Sequence, residues 1–421
     1  MRHLKTYILL IVFNSAILIG CLDDPIKYNT GTIEGRVYDQ YGMDDPFVKV
    51  SIGDYPIVAT NIYGKFSLEN DQFPYNITVS DPSHFADKFI GITIPNPELN
   101  TIEDNGYSNF CFVQVNFPET TLDYQETVIK FISNDKSWQS DYKTFWPSEF
   151  DMRVNILNDK SSISGKIIFL QYELYADYTI KRYKKFGIKD VVLNTGYSNP
   201  EITFTENDIM YNPPELYSEF NIQLSGEFNR VTSTISLVFP DMDVNSEIEI
   251  PTDYYEKLNS YIITPALPLL NYRAKLTNYA SINSYSQPSR KWEFFNPGED
   301  VSINHNKSLY LQQPVNEESN VNDNTQFIFN DIEPGGVYIY RLRPDPQIDY
   351  FYVSIITDKY PLTFKDFKTW GYKFNTGSTY YWSVMKYPGY KSVDEFVSSR
   401  LKEDTVYKKI PASERFSFTL R

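Results

Sequence analysis

From residue 31 to the end of the chain, apolar side chains recur at every second position in short runs, and this limits the fold more than any other feature. Val48, Val50 and Ile52 alternate with Lys49 and Ser51, and Tyr380, Trp382 and Val384 alternate with Tyr381 and Ser383. Successive side chains of a strand point to opposite faces, so such a run has one face for a core and one for water. Glycine, proline, asparagine and aspartate separate the runs and supply the turns. Tyr and Phe, 35 and 29 of 421 residues, contribute flat rings that pack well on a pleated surface. Domains run to roughly 100–150 residues, so a chain of this length needs several. The expected fold class is all-β, with tandem β-sandwich domains.

The first twenty residues follow a different rule. Arg2 and Lys5 precede an apolar stretch interrupted by Asn14 and Ser15, too short to span a bilayer, and Leu18-Ile19-Gly20-Cys21 follows. That tetrad resembles the lipobox of bacterial lipoproteins. The resemblance implies cleavage before Cys21, a diacylglycerol on its thiol and a further acyl chain on its new amine. Two or three chains anchor stably, because each buried CH2 contributes ~0.8 kcal/mol. A membrane anchor or an ordinary secretory leader is the alternative. Asp23 and Asp24 resemble the acidic surface-export signal of Bacteroidetes lipoproteins. The expectation is a signal peptide over 1–20, lipidation at Cys21, a tether over 21–30, and membrane lipid as partner. It places the protein on the cell outer membrane, facing either the periplasm or the exterior.

The clearest internal pattern begins at Gly31. Ile33, Gly35, Val37 and Asp39 lead into the turn Gln40-Tyr41-Gly42, and a strand over 46–52 follows. Thr60, Asn61, Gly64 and Phe66 then surround a tight turn, and Tyr75, Ile77 and Val79 alternate beyond it. This order resembles the carboxypeptidase regulatory-like domain, a transthyretin-like seven-stranded sandwich, with Asn61 where the family has aspartate. The resemblance covers 31–118 and implies an accessory module without catalytic groups.

Between 119 and 296 the runs are strand-like but carry no named motif. Their spacing suits an immunoglobulin-like sandwich over 119–207. A further sandwich is expected over 208–296. Its Ile235, Leu237, Phe239, Thr252-Asp253 and Tyr272–Leu276 loosely echo the first domain, and a degenerate repeat of that domain is one reading. Lys181-Arg182-Tyr183-Lys184-Lys185 is a basic island that either caps a solvated hairpin or meets an anionic surface.

Residues 297–421 read as a last sandwich. Asn375-Thr376-Gly377-Ser378-Thr379-Tyr380-Tyr381-Trp382-Ser383-Val384 resembles the fibronectin type III pattern, whose strand crosses the core. Ser392 with Glu395 reads as a capping box, and Val393, Phe396, Val397 and Leu401 form an apolar stripe at helical spacing. A short helix over 392–402, packed on the sandwich, is predicted.

Chemistry is sparse. Beyond the leader only His84 and His305 remain, without ligand-like spacing. No G-x-S-x-G motif or phosphate-cradling glycine loop is present. Asp241-Met242-Asp243-Val244-Asn245 has alternating oxygen ligands but lacks the spacing of a calcium loop, and reads as a polar loop. Cys111 falls on one face with Val113, Val115 and Phe117, as a small core residue or, alternatively, a reactive thiol. The net charge of −15 repels phosphate backbones and argues against nucleic acid as a partner. No catalytic residue, cofactor or metal is assigned. The expected function is a non-catalytic, lipid-anchored envelope protein acting as an adhesion, scaffold or binding module for an envelope protein or a glycan. The alternatives are glycan capture on exposed aromatic faces, and an accessory enzyme with an acid pair.

Overall fold

The computed structural model describes residues 31–421 except 40–43, 54–56, 82–83, 102–108, 119–124, 135–138, 145–148, 157–159, 177–179, 197–199, 214–215, 220, 227, 239–246, 251–259, 264–272, 284–287, 297–298, 306, 346–350, 369–371 and 399–408. The fold is all-β, and tandem sandwiches account for nearly all of its regular structure.

One pairing scheme recurs three times along the chain. In the first unit, Gly31–Tyr38 pairs antiparallel with Lys65–Asn70 through its first half, then parallel with Glu98–Asn100 through its second. Facing this layer, Ile57–Ala59, Lys49–Ile52, Tyr75–Asp81 and Phe85–Ile92 lie side by side in that order. The second unit repeats the plan. Asn109–Asn116 pairs antiparallel with Glu149–Ile156 and parallel with Glu201–Thr203. Its opposite layer runs Gln139–Thr144, Gln125–Ser133, Ser162–Leu174 and Ile180–Asn194. The third unit does so again, with its first strand split into Leu216–Glu219 and Ile222–Gly226. The former pairs antiparallel with Ser260–Ile263 and the latter parallel with Val301–His305. Glu247–Ile250, Arg230–Val238, Arg273–Ser281 and Ser289–Phe295 form its second layer.

These pairings correct the expected partition. Asn109–Asn116, expected in a first domain over 31–118, pairs only with strands of the second unit among the described residues. Val301–His305, expected in the last domain over 297–421, closes the third unit. The second unit follows the strand order of the first unit, with no separate immunoglobulin-type order. Alternation reveals a strand but not its partner, which explains the displaced boundaries.

The sixth strand of each unit would be a bare sheet edge, a template for unwanted pairing. In all three units it is covered. Ile180–Asn194 is extended by Ile209–Tyr211, and Ser289–Phe295 by Lys409–Ile410. Phe85–Ile92 is covered most extensively: it pairs in parallel with Tyr352–Thr357, from Tyr352 opposite Phe85 to Ile356 opposite Phe89. The result is a nine-stranded sheet shared by the first unit and the C-terminal sandwich.

Where the two units join, that sheet is buried on both faces. Phe85, Phe89, Val337, Ile339 and Ile356 point to one side, under the Gly31–Tyr38 layer. Ala86, Ile90, Tyr340, Leu342, Ile355, Tyr380 and Trp382 point to the other. A three-stranded layer of Leu309–Gln313, Gln326–Asp331 and Leu362–Thr363 covers the second face. The expected helix is one turn, Val393–Phe396, and Leu401 lies outside the described residues. Ser392 caps it by accepting from Glu395 N at 3.2 Å, while the Glu395 carboxylate accepts from Lys391 N rather than closing a capping box. Val393, Phe396 and Val397 enter the core of the first unit. Thr93 N donates to Asp394 Oδ1 at 2.7 Å, and Glu98 N donates to the Val397 carbonyl at 2.7 Å. A second single turn, Phe364–Phe367, was not expected.

The middle units are joined in a similar way. Ile129, Phe131, Ile167 and Phe169 fill the core of the second unit, while Val128, Ile132, Ile168 and Leu170 pack against Ile222, Ile235, Leu276 and Ile303 of the third. This explains the near-continuous apolar run Ile167-Ile168-Phe169-Leu170, the signature of a strand buried on both faces.

Candidate functional site

The motif residues of the first unit build one end of its sandwich. Asn61 Oδ1 accepts hydrogen bonds from Tyr63 N at 2.8 Å and Lys65 N at 3.1 Å, closing the turn. Gly64 completes it at φ +66°, and a Cβ there would stand 2.4 Å from the Val37 carbonyl oxygen. Thr60 ties the neighbouring segment alongside: its hydroxyl donates to the Asp45 carbonyl at 2.8 Å and accepts from Val48 N at 3.1 Å. Phe47 N donates to the Thr60 carbonyl at 3.1 Å. Arg36 braces the turn, with Nε donating to the Tyr63 carbonyl at 3.0 Å and its guanidinium paired with Asp44.

This scaffold holds three large apolar side chains in solvent: Phe47 at 58% exposure, Ile62 at 51% and Tyr63 at 37%. Phe47 adopts φ +65°, a region uncommon for a bulky residue and costly to hold. The tip offers apolar and ring-stacking contact. The sequence reading missed it. The available signal was the placement of Phe47 after Pro46, and of Ile62 and Tyr63 between Asn61 and Gly64, inside turns where no core needs them.

The residues singled out from sequence do not converge. Cys21, the Asp241–Asn245 stretch and Thr252-Asp253 lie outside the described residues. Cys111 is fully buried among Val113, Val115, Val154 and Phe169, and burial pushes its thiol up to about 11, away from reactive thiolate. His84 is exposed beside Asp81, with Nδ1 3.1 Å from Oδ2. His305 lies in another unit, buried against Phe228, where desolvation and Lys291 push it down to about 4. The basic island sits in a long strand, and Glu173 meets it: Lys181 Nζ and Arg182 Nε each donate to this carboxylate at 2.6 Å, and Lys184 Nζ is 3.4 Å away. Those donors hold the Glu173 carboxyl down to about 2. Lys185 turns inward and donates to the Pro118 carbonyl at 3.0 Å. The exposed ring of Tyr175 stands beside the island, 6.0 Å from Lys181 Nζ. Among the described residues no group of three or more His, Cys, Asp or Glu is placed to hold a metal ion. No described helix is long and apolar enough to cross a membrane.

No family model matches the chain, and no curated protein matches it. Similar solved structures include the Bacillus anthracis TIE protein, at 10% identity and TM-score 0.16, over 65% of this chain and 50% of that one. A putative adhesin from Bacteroides ovatus is 11% identical, TM-score 0.13, over 42% of this chain and 73% of the other. The FN1–FN3 domains of chicken CNTN1 are 9% identical, TM-score 0.15, over 89% and 99%. The chain spans half the length of the first of these. At such TM-scores the likeness carries no argument about function, and the all-β architecture stands on the strand pairing itself.

Proposed function

We propose that this chain is a non-catalytic, lipid-anchored cell-envelope protein, tethered to outer-membrane lipid through acylated Cys21, that acts as an adhesion or scaffold module. The observation that carries the binding role is the apolar tip of the first unit. Phe47, Ile62 and Tyr63 stand in water on a turn braced by Asn61, Thr60 and Arg36, while most large apolar side chains among the described residues are buried. Exposed aromatic residues on rigid loops are the usual anchors of protein contacts. The anchor rests on the leader and the Leu18-Ile19-Gly20-Cys21 tetrad.

Two measurements test the two halves separately. Metabolic labelling with palmitate should mark the wild type and not Cys21→Ser; equal labelling ends the anchor claim. Capture of envelope proteins by the wild type should fall at least about tenfold in Phe47→Ser/Tyr63→Ser, as for loss of a hot-spot pair. Equal capture by both proteins ends the role of the tip. The exposed rings of Tyr63 and Tyr175 favour a second reading, glycan capture by stacking, which a glycan array without hits would remove.

A further inference from the structure

Three arginines of this acidic chain gather on one face of the nine-stranded sheet. Arg341 and Arg343 lie two residues apart on Val337–Pro344 and therefore share a face. Arg341 is opposite Ser383, and Arg343 opposite Tyr381, on Thr379–Tyr387. Trp382 is opposite Phe416, so Arg415, the residue before Phe416, comes alongside Ser383 from the other side. Arg341, Ser383 and Arg415 thus form one row across three strands, about 4.8 Å apart from strand to strand.

Arg341 stands 4.7 Å over the Tyr352 ring, and Arg343 lies 5.9 Å from the Tyr381 ring, so each guanidinium has an aromatic face beside it. All three arginines are half-buried. Neither Arg343 nor Arg415 has a carboxylate within ion-pair distance among the described residues, unlike Arg36 with Asp44 and Arg182 with Glu173. The Nε of Arg343 is buried without a hydrogen-bond partner. So is the hydroxyl of Ser354, which pairs with Arg341 on its other flank and is fully buried. Burial and the two neighbouring arginines bring Arg415 down to about 10, a cation under repulsion. Asp87 and Asp345 border the cluster at its two ends, one beyond Ser354 and the other two residues beyond Arg343. Half-buried cations without an ion-pair partner, as at Arg343 and Arg415, are costly, and a ligand that supplies the charge relieves that cost.

We propose that Arg341, Arg343 and Arg415 form a binding site for a tetrahedral oxyanion, the phosphate or sulfate group of an external ligand. Guanidinium forks match such oxygens in pairs, and a cluster that gathers three of them suits a doubly charged tetrahedral group better than a planar, singly charged carboxylate. The Ser354 and Ser383 hydroxyls lie in the same row as further donors. The site is independent of the apolar tip.

The test is calorimetric titration of the full chain with inorganic phosphate, sulfate and acetate. Phosphate and sulfate should bind and acetate should not. Arg343→Gln and Arg415→Gln should each weaken phosphate at least about tenfold, the effect of one charge-assisted hydrogen bond. Arg415→Gln should melt no lower than the wild type, since it removes a repelled cation. Arg343→Lys keeps the charge and removes the fork, and should also weaken phosphate, which separates geometry from charge. Vesicles of phosphatidylglycerol against phosphatidylcholine identify the source: selective retention by the wild type and not by the variants assigns the anion to a headgroup, and binding of free phosphate alone assigns it to a soluble ligand. Equal phosphate affinity in the wild type and Arg343→Gln/Arg415→Gln, acetate binding as well as phosphate, or no binding of either tetrahedral anion would overturn the proposal.

Discussion

Residues 299–421, expressed alone, should not fold cooperatively, although they contain a whole run of strands. Val337, Ile339, Ile356, Val393, Phe396 and Val397 belong to that segment, yet all six are buried in a core whose other members come from residues 33–99. Fully burying an aliphatic or aromatic side chain contributes about 1.5–3 kcal/mol. Losing the first unit therefore forfeits on the order of 9–18 kcal/mol, an upper figure because unfolded chains already bury part of this surface. A domain has about 5–15 kcal/mol in total. The loss also bares Tyr352–Thr357 as an open sheet edge. The assay is thermal unfolding followed by near-UV circular dichroism. The expected result is no cooperative transition for 299–421 alone, and a clear one when residues 31–101 are joined to it by a flexible Gly/Ser linker. A sharp transition for 299–421 alone, at the melting temperature of the full chain, would show that the shared core is not needed.

Two further outcomes follow from local geometry. Gly64→Ala places a Cβ 2.4 Å from the Val37 carbonyl oxygen at φ +66°, and should cost at least about 1–2 kcal/mol in urea unfolding; a loss below half of that would contradict the turn described. His305 is buried neutral, with its pKa depressed to about 4 from an ordinary 6.5, so the unfolded chain protonates first. Its contribution is complete above pH 6.5 and is lost as the pH falls towards 4, by about 2 kcal/mol once solvent screening is allowed for. Melting curves across that window should fall more steeply for the wild type than for His305→Phe, and parallel curves would count against the assignment.

The binding features differ in how far sequence could reach them. The turn at Asn61–Gly64 was legible because it depends on residues adjacent in the chain: a side chain that bonds its own backbone, and a glycine that tolerates positive φ. The burial of Cys111 was legible for the same reason, from its place in an alternating run. The apolar tip was harder, since Phe47 and Tyr63 look like core residues until the turn around them is built. The arginine cluster could not be seen at all. Arg415 is more than seventy residues from Arg341 and Arg343 along the chain, and nothing local to it announces that Phe416 will settle opposite Trp382.

By itself, the sequence determined that this chain is a string of strands, where most of them lie, and which face of each is apolar. Those properties come from the period of two, which each segment carries alone. Only the tertiary structure decided which strand pairs with which. It repeated one seven-strand plan three times without repeating its residues, and it closed the first and last sandwiches into one sheet through Phe85–Ile92 and Tyr352–Thr357. The reason is that an open strand edge offers the same backbone groups to any partner. The choice among partners rests on side-chain packing between segments about 260 residues apart, which no local pattern encodes.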